Sequence, residues 1–87
     1  MTTKAPSPVK PADEQTLEHI AYASVRDIPT AEPHDRDRLG YNVWRALATK
    51  RDSLEFAVKT AGARLQISEE EAVARIRESL RAHGLTL

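Results

Sequence analysis

The chain has 87 residues, no cysteine, few aromatic side chains, and thirteen basic residues against thirteen acidic ones. That length is one small domain with a modest core, resting here on Leu, Ile, Val and Ala. The composition excludes a disulfide framework, a thiolate zinc site and a cysteine nucleophile, and the neutral balance falls short of a strongly basic nucleic-acid footprint.

Residues 1–10, MTTKAPSPVK, read as a disordered leader. Pro6 and Pro8 favour extended conformers, and the stretch holds too little apolar surface to offset its ordering entropy. Residues 11–87 then make a single helical domain. No apolar run approaches a membrane span, and the N-terminus lacks the apolar centre of a signal peptide. The expected location is the cytoplasm.

The first helix is predicted over roughly 12–27. Pro11 suits a helix start, Asp13 and Glu14 complement the dipole, and Leu17, Ile20, Ala21, Ser24, Val25 and Ile28 recur at helical spacing. Pro29 ends it. PTAEPH then makes a hinge, with Thr30 as a cap and Pro33 opening the second helix, predicted over 33–50. His34 to Arg38 read as a solvated first turn.

The second helix is the organising element. At about 100° per residue, Leu39, Val43, Ala46 and Leu47 share one face, while Tyr41, Trp44 and Ala48 lie nearly opposite. Arg38, Asn42, Arg45 and Thr49 form a polar stripe between them. A helix apolar over most of its girth is buried from more than one side or carries a partner surface. The third and fourth helices are expected over the Leu39 side and the first over the Tyr41 and Trp44 side. Gly40 costs about 1 kcal/mol relative to Ala inside a helix, which points to close approach of another backbone.

The third helix is predicted over 52–62, with Asp52 as N-cap and Glu55 completing a capping box. It buries Leu54, Ala57, Val58 and Ala61, turns Phe56 elsewhere, and stops at Gly62. The fourth is predicted over 68–83. Ser68 and Glu71 form a capping box, Glu71 supports Arg75 across one turn, and Ala72, Val73, Ile76 and Leu80 make its buried stripe. Gly84 stops it, with Leu85 and Leu87 folding back. The fold class is all-α, a small bundle of about four helices.

No constellation carries catalysis. His19, His34 and His83 lie far apart and none has metal-ligand spacing, so neither a metal site nor a cofactor is expected. The serines lack a glycine elbow, and three scattered glycines make no phosphate loop. A helix-turn-helix reading of the third and fourth helices fails because Glu69, Glu70 and Glu71 would face phosphates. A basic set, Arg36, Arg38, Arg45, Lys50, Arg51, Lys59 and Arg64, is the better nucleic-acid surface. It lies in a segment, 36–64, with seven bases and three acids, after a segment, 11–35, with six acids and one base.

The motifs DRDRL at 35–39, YNVW at 41–44, SLEFAV at 53–58 and KTAG at 59–62 resemble a family of short bacterial proteins of unknown function. The pattern is a DR-x-R start, a Tyr-x-Val helix ending in Trp, an AV segment and a Gly stop. The family has extra residues between Leu39 and Tyr41 and a different Tyr-to-Trp spacing. The resemblance implies a compact helical fold and carries no activity.

The residues point to a non-catalytic adaptor or regulatory protein that works by protein contact, with another protein or a second copy. Tyr41 and Trp44, flanked by Arg38 and Arg45, have hot-spot composition and are the expected contact residues. The alternative is a small nucleic-acid-binding regulator using the basic set.

Overall fold

The computed structural model describes residues 14–87. The leader expected at 1–10 and the predicted helix start at Ala12 lie outside the described residues. Four helices follow: α1 (Glu14–Ser24), α2 (Pro33–Thr49), α3 (Leu54–Thr60) and α4 (Glu69–Ala82). Apart from one antiparallel bridge, Thr30 to Leu65, no β-structure occurs among the described residues. This is a small all-α bundle. No described helix is long and apolar enough to cross a membrane.

α1 stops three residues before the predicted end. Ser24 turns its hydroxyl back to the Ala21 carbonyl at 2.7 Å. The next two N–H groups, of Val25 and Arg26, reach only the carbonyls three residues back, at 3.3 and 3.2 Å. A back-bonding serine competes with the helical ladder, and Pro29 biases Ile28 away from helical geometry.

The ends of the other helices obey local chemistry. Pro33 occupies the first helical position of α2 as predicted, but the cap is Glu32, not Thr30. The Thr30 hydroxyl instead donates to the Glu32 carbonyl at 2.8 Å. Lys50 closes α2 in the left-handed region, at φ 57°. Ser53, not Asp52, caps α3 by accepting the Phe56 N–H at 3.1 Å. Ser68 caps α4 by accepting the Glu71 N–H at 3.0 Å. The Glu71 carboxylate is held forward by Arg75 at 2.8 Å, the predicted one-turn pair. At the far end of α4, Leu85 N–H bonds the Leu80 carbonyl and Gly84 N–H bonds that of Arg81, both at 2.9 Å. With Gly84 at φ 77°, this is the Schellman closure that the sequence predicts. Replacing Ser68 by Ala is expected to lower unfolding free energy by about 1 kcal/mol. Urea unfolding followed by circular dichroism measures it, and a change near zero would mean α4 does not depend on this cap.

The helices close a ring: α1 packs on α2 and α4, and α3 packs on the same two. α2 and α4 therefore stand across the bundle from each other. Of the two helices expected over the Leu39 side of α2, α3 packs on α2 directly and α4 reaches that side through the shared core. Leu39, Val43 and Leu47 still meet Ala72, Val73, Ile76 and Leu80 in one shared core, joined by Val25, Ile28, Leu54 and Val58. Each buried Val, Leu or Ile among them contributes about 1.5–3 kcal/mol by leaving water.

The two long connections are fastened to each other. Ala31 N–H donates to the Arg64 carbonyl and Gln66 N–H to that of Pro29, both at 2.9 Å. The segment predicted as a hinge is thus a pinned loop.

Candidate functional site

α2 divides Tyr41 and Trp44 unequally between core and surface. Tyr41 is 44% exposed. Trp44 is half-buried and packs against the core cluster. The rings meet edge to face, with centroids 5.8 Å apart and planes at 72°, the geometry that aromatic quadrupoles favour. Arg45, one turn on, sets its guanidinium 5.8 Å from the Tyr41 ring centroid and reaches the Tyr41 hydroxyl at 3.4 Å. That distance is within cation–π range. The Trp44 indole N–H is buried with no acceptor among the described residues.

Arg38, three residues before Tyr41, is exposed and donates to the Gly62 carbonyl at 3.3 Å. Asn42 turns the other way and holds α3, its side-chain amide donating to the Ala57 carbonyl at 3.0 Å and to Thr60 Oγ1 at 3.2 Å. Arg38, Tyr41 and Arg45 are left as an outward stripe, with Trp44 as its inner wall. On the α1 side, Tyr22 is half-buried beside this stripe. Its phenol pKa is raised above 10.0, by burial first and then by the negative charges of Glu18 and Asp37.

The seven basic residues named above are not all free of intramolecular partners. Along α2, Arg36 and Lys50 are about 20 Å apart at 1.5 Å per residue. Arg36 is half-buried, and its Nε donates to the Ile28 carbonyl at 3.0 Å. Arg64 is engaged with Asp35: its Nε and Nη2 lie 3.2 and 3.1 Å from Asp35 Oδ2. Arg45, Lys50, Arg51 and Lys59 are exposed, and none makes an ion pair among the described residues.

Asp35 was expected in a solvated turn, but its side chain is fully buried. Its Oδ2 accepts the Glu32 N–H at 3.0 Å as well as the Arg64 guanidinium, and Oδ1 has no partner among the described residues. Burial alone pushes the carboxyl pKa up. The Arg64 hydrogen bond, the Glu32 N–H and the Arg64 charge outweigh that and hold it below 3.8. This residue fastens the start of α2 to the loop before α4. Glu55 is also held below its ordinary 4.5, by its own backbone N–H first and by Arg77, which bridges α3 and α4 at 3.0 Å.

Compared with protein-family profiles, curated proteins and solved structures, the chain matches none. Among the described residues no group of three His, Asp or Glu side chains is placed to hold a metal ion. A depression of about 490 Å³ spreads over Ser68, Glu70, Glu71, Ala74, Arg75 and Glu78, all of them exposed. A small-molecule site buries its ligand among converging polar groups, and this surface offers none that is buried.

Proposed function

We propose that the chain is a small non-catalytic adaptor or regulatory protein that acts by protein contact through the outward stripe of α2. The observation that carries this reading is Tyr41: a large aromatic, 44% exposed, braced edge-on by Trp44 and flanked by two arginines. A ring already held in place loses little freedom on binding, and Tyr, Trp and Arg dominate binding hot spots. Trp44 supports the surface from within, so its truncation would disturb the core as well as the contact.

Tyr41→Ala is the cleaner probe. It is expected to stay folded and to lose no more than about 1.5 kcal/mol, the worth of the edge-on contact with Trp44. Binding to a protein partner, read by calorimetry or by solution mass, is expected to weaken at least about tenfold. Equal binding by both proteins would overturn the α2 stripe as the contact. Retention of random-sequence duplex DNA that fades steeply with salt would replace this reading with nucleic-acid binding through the exposed basic residues.

A further inference from the structure

The outer face of α2 carries a short coiled-coil seam. Tyr41, Trp44 and Ala48 stand three and then four residues apart, the a–d–a spacing at which apolar side chains line the contact between two helices. Tyr41 is 44% exposed, Ala48 is exposed and Trp44 is half-buried. One heptad earlier the same positions hold His34 and Asp37, so the apolar seam begins at Tyr41. Arg38 and Arg45 both take the e position beside it, about 10.5 Å apart along the axis. From Arg38 to Arg51 the sequence holds four cations and no acid. All four are exposed and make no ion pair among the described residues. The acids around this face are engaged or set aside. Glu18 and Asp37 lie on the α1 flank, where both act on the Tyr22 phenol. Asp35 is buried on Arg64, Glu55 pairs with Arg77 of α4, and Asp52 lies beyond the end of α2.

We propose that this seam takes an amphipathic helix of another protein, apolar at its own a and d positions and carrying carboxylates seven residues apart beside them. This rests on the reading of α2 as a contact surface and names the chemistry of its partner. Period is the first argument. A helix repeats its apolar and acidic side chains every seven residues on one face and so runs in step with Tyr41, Ala48 and the two arginines. An extended strand covers the same about 10.5 Å in three residues, which puts the two matching side chains on opposite faces. Charge is the second. The residues flanking such a seam choose its partner, and two arginines with no acid between them select carboxylates. Arg45 lies against the Tyr41 ring, and a guanidinium so placed still offers donors in its own plane to a carboxylate. A second copy's α2 brings arginines at the same positions and supplies no carboxylate. A nucleic-acid base needs an open ring face to stack on, and the Arg45 guanidinium already stands over the Tyr41 ring.

The test uses the full chain and two capped synthetic peptides about three heptads long, both with Leu at a and d. One carries Glu at e and g, the other Lys, and neither contains Trp or Tyr. Trp44 is the chain's single tryptophan and sits in the seam, so its fluorescence reads occupancy. The Glu peptide is expected to shift Trp44 emission saturably and to bind at least about tenfold more tightly than the Lys peptide. About 0.5 M salt is expected to erase that preference, since screening is then nearly complete. Arg38→Gln/Arg45→Gln is expected to bind the two peptides alike, and Arg38→Glu/Arg45→Glu to prefer the Lys peptide. Circular dichroism establishes that each variant is folded. Equal binding of both peptides by wild type overturns the proposal, as does a charge-reversed variant that still prefers the Glu peptide. Self-association of wild type through the same arginines, or binding of random-sequence duplex DNA that both variants lose, would replace the acidic helix with that occupant. A Glu peptide that leaves Trp44 unmoved, while Tyr41→Ala still loses another protein partner, overturns the acidic helix and leaves α2 as the contact surface.

Discussion

Replacing Asp35 by Asn is expected to lower the melting temperature by roughly 4–8 °C near neutral pH, the shift that loss of one net interaction produces in a domain of this size. The side chain is fully buried, and one oxygen serves both Glu32 N–H and the Arg64 guanidinium. Asn keeps the shape and removes the charge. The pH dependence gives the sharper test. Because the folded carboxyl titrates below its ordinary 3.8, its contribution is fully present above that value and is lost as pH falls through the folded pKa. The melting gap between wild type and Asp35→Asn is therefore expected to hold from neutral pH to about 5 and to close in the region below 4. Glu55, also depressed, titrates in both proteins and cancels in the difference. Arg64→Gln is expected to destabilise as well, and the double variant to lose less than the two single losses together, since both act on one contact. A gap that persists unchanged at acid pH would mean that packing, not charge, fixes Asp35.

That buried carboxylate marks the limit of what the sequence makes legible. Helix ends answer to neighbours a few residues away, so Pro33 at the start of α2, Ser68 before α4 and the Gly84–Leu85 closure are all readable from local pattern. The apolar stripes of α2 and α4 are readable for the same reason. Asp35 is different: its partner Arg64 stands 29 residues on, brought near by the bridge between two loops. The local string HDRDR is the same whether its second residue faces water or the core. Asp52 and Ser53 fail on another ground. Both are competent caps and adjacent, and the pattern does not choose between them. On the candidate surface, residue types alone single out Arg38, Tyr41, Trp44 and Arg45. Periodicity places Tyr41 and Trp44 together on the second apolar face. Only the packing of the helices around the core decides that Trp44 is half covered and Tyr41 is open.

Replacing Gly40 by Ala is expected to destabilise the protein by about 1–3 kcal/mol, the usual penalty for overpacking, although in an open helix the same change stabilises by about 1 kcal/mol. The backbone crossing expected at Gly40 is in fact a ring crossing. A Cβ placed there would stand 2.5 Å from Cδ1 of Tyr22, 2.8 Å from Cε1 and 3.1 Å from Cγ. Because Cγ is among these atoms, the ring cannot clear the methyl by moving its tip. The whole ring must move, by a change of rotamer or by a shift of α1. The sign should therefore depend on Tyr22. In a Tyr22→Ala background, Gly40→Ala is expected to become stabilising by about 0.5–1 kcal/mol, since only helix propensity remains. Chemical denaturation of the four proteins closes the cycle, and a coupling smaller than about 0.5 kcal/mol would mean that the ring is not what excludes the methyl. The same variant reports on the contact surface. Trp44 lies one turn beyond Gly40 and is the chain's single tryptophan. Displacing α1 should uncover its indole and shift native-state fluorescence to longer wavelength. An unshifted spectrum in a destabilised Gly40→Ala would mean that the Tyr22 ring turns aside while α1 keeps its place over α2.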